Sequence, residues 1–100
     1  MSDDLQLAGK LIVKELGLDD HDNIEGKDFQ EIHQALTKIV AQLLNTDLNK
    51  LLTALYRIDV NEQSVKKILA TEKPDKISSE IALLILNREL QKIESRKKYR

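Results

Sequence analysis

The chain of 100 residues carries 33% charged and 41% hydrophobic side chains at a net charge of −1, which excludes a typical disordered composition and a strong field of either sign. It contains no cysteine, so disulfides, thiol catalysis and cysteine-bound zinc are excluded, and a reducing cytoplasm suits it. One proline and three glycines are few turn residues for a fold of many short strands. We predict one all-α domain over residues 1–100, with a frayed basic tail at 96–100.

Apolar residues recur at three- and four-residue steps along most of the chain, the spacing that lines one face of an α-helix. Breaks in this pattern predict an irregular or orthogonal bundle of four to five helices. The predicted helices cover about residues 3–16, 28–44, 47–58 and 62–70, and a fifth runs from 74 to 95 or beyond. The acidic segment 17–27 is predicted to form the main loop.

Capping signals mark the ends of the first two predicted helices. Gly17 is expected to end the first helix, because glycine adopts the left-handed conformation at a helix C-terminus. Gly9, inside that helix, is expected to let another helix approach closely. Asp28 is predicted to cap the second helix, with Glu31 as its capping-box partner three residues later.

The boundaries around the third helix rest on polar residues. Asn45 is predicted to end the second helix and Thr46 to cap the third. Asn61 is the preferred N-cap of the fourth helix. Asp59 with Glu62 forms a rival capping box two residues earlier, and the sequence leaves both alternatives open.

The fifth helix is predicted to begin at Pro74 and to be the centre of the bundle or a subunit interface. Residues 81–86 are apolar on every helical face, and a helix of this kind is surrounded by protein. A 100-residue bundle has limited material to cover such a helix, so its surplus apolar surface predicts an interaction site at Leu83, Leu86 and Leu90.

Tyr56 and Arg57, at the end of the third helix, also belong to the predicted interaction site. Both residue types are enriched at binding hot spots. The alternative is that Tyr56 anchors the following turn with its ring buried and its hydroxyl in water. We favour the anchor role for Tyr56.

A basic strip follows the last helix, and it is the candidate nucleic-acid site. Its members are Arg88, Lys92, Arg96, Lys97, Lys98 and Arg100, with Tyr99 as a ring for stacking. Such a strip neutralises phosphates without reading sequence. The alternative is that these cations complement the helix dipole. Residues 1–31 carry a net charge of −6 and residues 88–100 a net charge of +4, so the two ends are also candidates for attracting each other.

The acidic loop 19–25 is the candidate for a divalent metal. An EF-hand needs glycine at loop position 6 and glutamate at position 12, but placing Gly26 at position 6 puts Ile32 at position 12. A looser site formed by Asp20, Asp22 and Glu25 stays open against a solvated loop.

The sequence contains none of the recognisable catalytic motifs. His21 and His33 lie twelve residues apart and form no helical zinc pair, and His33 is expected at the boundary of the core. No serine lies in a nucleophile motif, the glycines are isolated, and no acid is expected in an apolar setting that would clearly perturb its pKa. We therefore predict no enzyme, no cofactor, no metal and no small-molecule substrate.

Residues 55–60, LYRIDV, and 87–93, NRELQKI, resemble a group of small bacterial helical proteins over about residues 47–96. The resemblance implies a compact all-helical cytoplasmic protein and supplies no catalytic residues. The acidic start does not resemble a secretory signal, and the longest apolar run, six residues, is far short of the ~20 that span a bilayer.

Together these features predict a cytoplasmic, non-catalytic protein-interaction module. It would act as an adaptor or regulator, through a protein partner or self-association and without a membrane. Nucleic-acid binding through the basic strip is the first alternative, and metal binding through the acidic loop is the second.

Overall fold

The structure, a computed structural model, describes residues 2–17, 24 and 28–98 of the chain. These residues form five α-helices and no strand, which confirms the predicted all-α bundle. The helices are α1 (Ser2–Glu15), α2 (Phe29–Thr46), α3 (Leu48–Ile58), α4 (Glu62–Thr71) and α5 (Pro74–Lys98). Among the described residues, no helix is both long enough and apolar enough to cross a membrane.

The central element of the bundle is α5, which contacts each of the other four helices. Ile81, Ala82, Ile85 and Leu86 are buried within it, and the two leucines between them are half-buried. The prediction that a helix apolar on every face lies at the centre is therefore confirmed. The helix continues through Lys98, which agrees with the predicted end at residue 95 or beyond.

Three of the helices begin with the same local device, a side-chain oxygen that accepts a bond from the backbone N–H three residues later. Asp28 caps α2 at 2.9 Å, Asp47 caps α3 at 3.1 Å and Asn61 caps α4 at 3.0 Å. The predicted caps Asp28 and Asn61 are confirmed.

The predicted break between α2 and α3 was placed too early. Thr46 does not cap α3, because it lies in the last turn of α2 and its hydroxyl donates to the Gln42 carbonyl at 2.7 Å. Asp47 instead serves both helices: its N–H donates to the Leu43 carbonyl at 2.8 Å, and its carboxylate caps α3. Asn45 likewise lies inside α2 and does not end it.

Asp59 ends α3, so the rival capping box that began at Asp59 is wrong. Its φ of 66° places it in the left-handed region, where asparagine and aspartate are better tolerated than most residues. The Asp59 N–H is shared between the carbonyls of Leu55 at 3.1 Å and Tyr56 at 3.2 Å. The chain then turns directly into α4.

The two glycines of the α1 region act in different ways. Gly17 has a φ of 63°, as predicted for a residue that ends a helix. A Cβ added at Gly9 would lie 2.8 Å from the backbone oxygen of Ile24. Gly9 therefore admits the backbone at Ile24 rather than another helix, which corrects the prediction for this position.

Candidate interaction surface

The largest apolar side chains left uncovered on one helix face lie on α3. Leu48, Leu52 and Tyr56 follow at four-residue steps, and all three are exposed. The Tyr56 residue is 87% exposed, so its ring lies in water instead of under the turn. The prediction that Tyr56 anchors the turn with a buried ring is wrong. We call Leu48, Leu52 and Tyr56 the α3 strip.

No charged side chain lies beside the α3 strip within α3 itself. The exposed neighbours on that side are Asn49 and Thr53. The two cations of α3, Lys50 and Arg57, point roughly 140–160° away from Leu52 around the helix axis. Lys50 Nζ accordingly donates to the Gly17 carbonyl at 3.3 Å, and Arg57 lines a separate shallow hollow beside Gly17.

A groove of about 880 Å³ adjoins the strip, between α3, the α3–α4 corner and α5. Leu55 and Val65 are its buried apolar residues, and Tyr56 lies at its edge. The charged residues of the groove are Asp59, Glu62 and Arg88. Each of them is paired within the chain, Asp59 with Arg88 at 3.3 Å and Glu62 with Lys66 at 3.4 Å.

Two bases of α5 hold the C-terminal end of α3, which forms one wall of the groove. Arg88 Nε donates to the Asp59 carbonyl at 3.1 Å, and Arg88 Nη1 donates to Gln91 Oε1 at 2.8 Å. Lys92 Nζ donates to the Ile58 carbonyl at 3.3 Å. Cations at the carbonyl end of a helix satisfy its free acceptors and complement its dipole. Arg88 and Lys92 therefore act on α3 as well as on their own helix.

Glu89 is the only buried charged residue in the part of the chain that the structure describes. It is 1% exposed, and its Oε1 lies 3.5 Å from Lys92 Nζ. Its burial was not predicted from the sequence. The signal was present in the sequence, because Glu89 continues the four-residue series of buried isoleucines at 81, 85 and 93. Glu89 is not one of the residues that line the groove.

The predicted interaction residues are not brought together. Tyr56 and Arg57 line different hollows. Leu86 is fully buried, Leu90 is half-buried against the core, and Leu83 is half-buried. Among the residues whose exposure the structure describes, no exposed large hydrophobic side chain lies on α5. The uncovered apolar surface expected there lies on α3 instead.

The predicted basic strip is partly used within the chain. Beyond the contacts of Arg88 and Lys92, Lys97 Nζ donates to Asp4 Oδ1 at 2.6 Å, which joins the basic end of α5 to the acidic start of α1. Arg96 is exposed. The Lys98 side chain, Tyr99 and Arg100 lie outside what the structure describes.

The histidine and metal candidates do not form a site within the described residues. His33 is half-buried, its Nε2 donates to the Ser79 carbonyl at 2.9 Å, and its ring stacks on Phe29 with the centroids 6.4 Å apart. His21 and the acidic loop 19–25 lie outside the described residues. Within residues 2–17, 24 and 28–98, no group of three or more histidine and acidic residues is arranged to hold a metal ion.

Comparisons of the chain with models of protein families, with curated proteins and with solved structures find no match. A function for this chain therefore has to be argued from the chemistry of its own surface.

Proposed function

We propose that the protein is a non-catalytic protein-interaction module that binds its partner through the α3 strip. The observation that carries this proposal is the exposure of Leu48, Leu52 and Tyr56 on a face without charge, in a chain of which one third is charged. The cores of protein interfaces are depleted in charged residues and enriched in tyrosine. A solvated helix face of this protein would be expected to carry lysine or glutamate, as α4 does.

The spacing of the strip favours a helical partner. Side chains at four-residue steps form one ridge, and such a ridge packs into the groove between the side chains of a second helix. Tyr56 has the features of a hot-spot residue, because its large ring loses few rotamers on binding and keeps a polar hydroxyl at the rim. The adjoining groove offers Leu55 and Val65 to a partner that reaches past Tyr56.

An adaptor or regulator in the cytoplasm is the role that we propose for such a module. The absence of cysteine suits a reducing compartment. The groove supports an interaction better than a reaction, because Asp59, Glu62 and Arg88 are each engaged in an ion pair. Nucleic-acid binding has less support, since Arg88, Lys92 and Lys97 bind oxygen atoms of this chain.

A photo-crosslinking residue placed at position 56 tests the proposal in cells of the native host. We expect a discrete crosslinked protein species from Tyr56→benzoylphenylalanine, because this side chain would contact the partner. The control is the same residue at Leu69, which is exposed on α4 and outside the groove. Equal crosslinking from both positions, or none from position 56, would count against an interaction through α3.

A further inference from the structure

We infer that the partner at the α3 strip is a second copy of this chain, with α3 packed antiparallel against α3 about a twofold axis at Leu52. The inference rests on the proposed function and names the occupant of that surface. It is drawn from the symmetry of the strip, from its charge and from its size.

The strip is complementary to itself in one register. Leu48 and Tyr56 each lie four residues from Leu52, on either side of it along α3. When two copies pack antiparallel, Leu52 meets Leu52 at the axis, and Leu48 of each copy meets Tyr56 of the other. A twofold interface requires this reciprocity, since each residue must suit the one that the symmetry places opposite. The three contacts are all between apolar groups.

Charge also favours a second copy. A charged face repels its own image across a twofold axis, whereas the strip with its neighbours Asn49 and Thr53 carries no charge. The two acids that flank α3, Asp47 and Asp59, lie beyond opposite ends of the strip, and Asp59 is paired with Arg88. In the antiparallel arrangement the two Asp59 carboxylates therefore lie at opposite ends of the contact. The N-terminus of each α3 lies beside the C-terminus of the other, which is the favourable order of the helix dipoles.

A surface that selects a different protein usually carries charges on its rim, which steer the partner and exclude wrong ones. The two acids at the edge of the groove, Asp59 and Glu62, are neutralised by bases of the same chain. They leave little charge with which to select a foreign partner. The contact is also small, because the 11 residues of α3 span about 16 Å. We therefore expect a weak dimer in rapid exchange with its monomer.

Cross-linking of Leu52→Cys with a short bismaleimide tests the position of the axis. The natural chain has no cysteine, so the introduced thiol is the only one. We expect rapid formation of a covalent dimer from Leu52→Cys. The matched control is Leu69→Cys on α4, because Leu52 is 42% exposed and Leu69 is 44% exposed. Dimer formation at the same low rate from both variants would overturn the inference.

Sedimentation equilibrium between about 10 µM and about 1 mM then measures the dissociation constant of the dimer. The wild-type chain is expected to show a monomer–dimer equilibrium. Leu52→Glu places two carboxylates at the axis and is expected to raise the dissociation constant at least about a hundredfold. Leu69→Glu is expected to leave it unchanged. Far-UV circular dichroism of all three proteins checks that the substitutions leave the fold intact.

The mass of the photo-crosslinked product from position 56 separates this inference from the proposed function. A product of twice the chain mass supports the second copy. A product of another mass, from a chain that sediments as a monomer at every concentration, overturns the second copy and leaves an interaction module with a different partner. No product at all, with a monomer by sedimentation, overturns both.

Discussion

The two helices α3 and α5 show how apolar sequence and apolar surface differ. The middle of α5, residues 81–86, is apolar on every face, and yet its residues are buried or half-buried in a helix that contacts all four others. α3 is more amphipathic and buries Leu51, Ala54, Leu55 and Ile58, but it leaves Leu48, Leu52 and Tyr56 in water. The helix with the longest apolar run thus exposes fewer large apolar side chains than α3 does. Three helices, α1, α2 and α5, contact α3, but none of the described residues covers the side that carries the α3 strip.

Truncation of one leucine on each helix is the most direct test of this difference between α3 and α5. Leu86→Ala is expected to lower the free energy of unfolding by about 3 kcal/mol, because a fully buried leucine leaves a cavity. Leu52→Ala should cost under about 1 kcal/mol, since the side chain is already partly in water. Urea denaturation of both variants below the dimer dissociation constant measures the difference. Similar losses from the two variants would mean that Leu52 is buried in the monomer, contrary to its exposure in the structure.

A second test concerns the charge buried within α5. Lys92→Met is expected to destabilise the protein by about 3 kcal/mol, because it leaves the Glu89 carboxylate buried without a cation. The double variant Glu89→Met with Lys92→Met should recover most of this loss, since an apolar pair of similar volume needs no compensation. Chemical denaturation of the single and double variants measures the coupling. A double variant as unstable as Lys92→Met would show that the bond to the Ile58 carbonyl matters more.

A third test concerns the hydrogen bond from Arg88 of α5 to the carbonyl of Asp59 at the end of α3. Its expected effect on stability is smaller. Arg88→Met removes the donor to the Asp59 carbonyl and should cost about 1 kcal/mol, the net value of an ordinary hydrogen bond. Amide hydrogen exchange should accelerate most in the last turn of α3. Arg96→Met, at an exposed position two turns further along α5, is the control and should leave both stability and exchange unchanged.

The smallest expected effect is that of Asp59→Asn. This substitution should change the free energy of unfolding by less than about 0.5 kcal/mol, because the Asp59 side chain is 82% exposed and asparagine accepts a positive φ. Asp59→Val should cost more, about 1–2 kcal/mol, since a β-branched residue is strained in that conformation. Thermal unfolding of the two variants separates backbone strain from charge. Equal stability of the two would mean that the turn adopts another conformation.

Local signals predicted much of the fold. The caps Asp28 and Asn61 and the terminal Gly17 act through backbone groups within a few residues, so the sequence nearby is enough to find them. Asp47 was missed because Thr46 is also a good cap by residue type. The difference is one residue of α2, because the Thr46 hydroxyl bonds back to the Gln42 carbonyl within that helix.

The candidate surface was less accessible to prediction. Tyr56 was placed under the turn because a tyrosine at a helix end often packs there, but nothing in the sequence shows whether another element covers the ring. The bases Arg88 and Lys92 were read as a strip along one helix. Their acceptors, the carbonyls of Asp59 and Ile58, are about thirty residues away in the chain and became visible only with the fold.

The amino-acid sequence by itself determined that this protein is helical, where most of its helices begin and end, and that α5 is central. Spacing of apolar residues and capping groups act over one or two helical turns, so that information is local. Only the tertiary structure decided which apolar residues stay in water and that Glu89 is buried beside Lys92. Those outcomes depend on contacts between helices distant in the chain, because exposure is a property of the neighbours that a residue meets rather than of the residue itself.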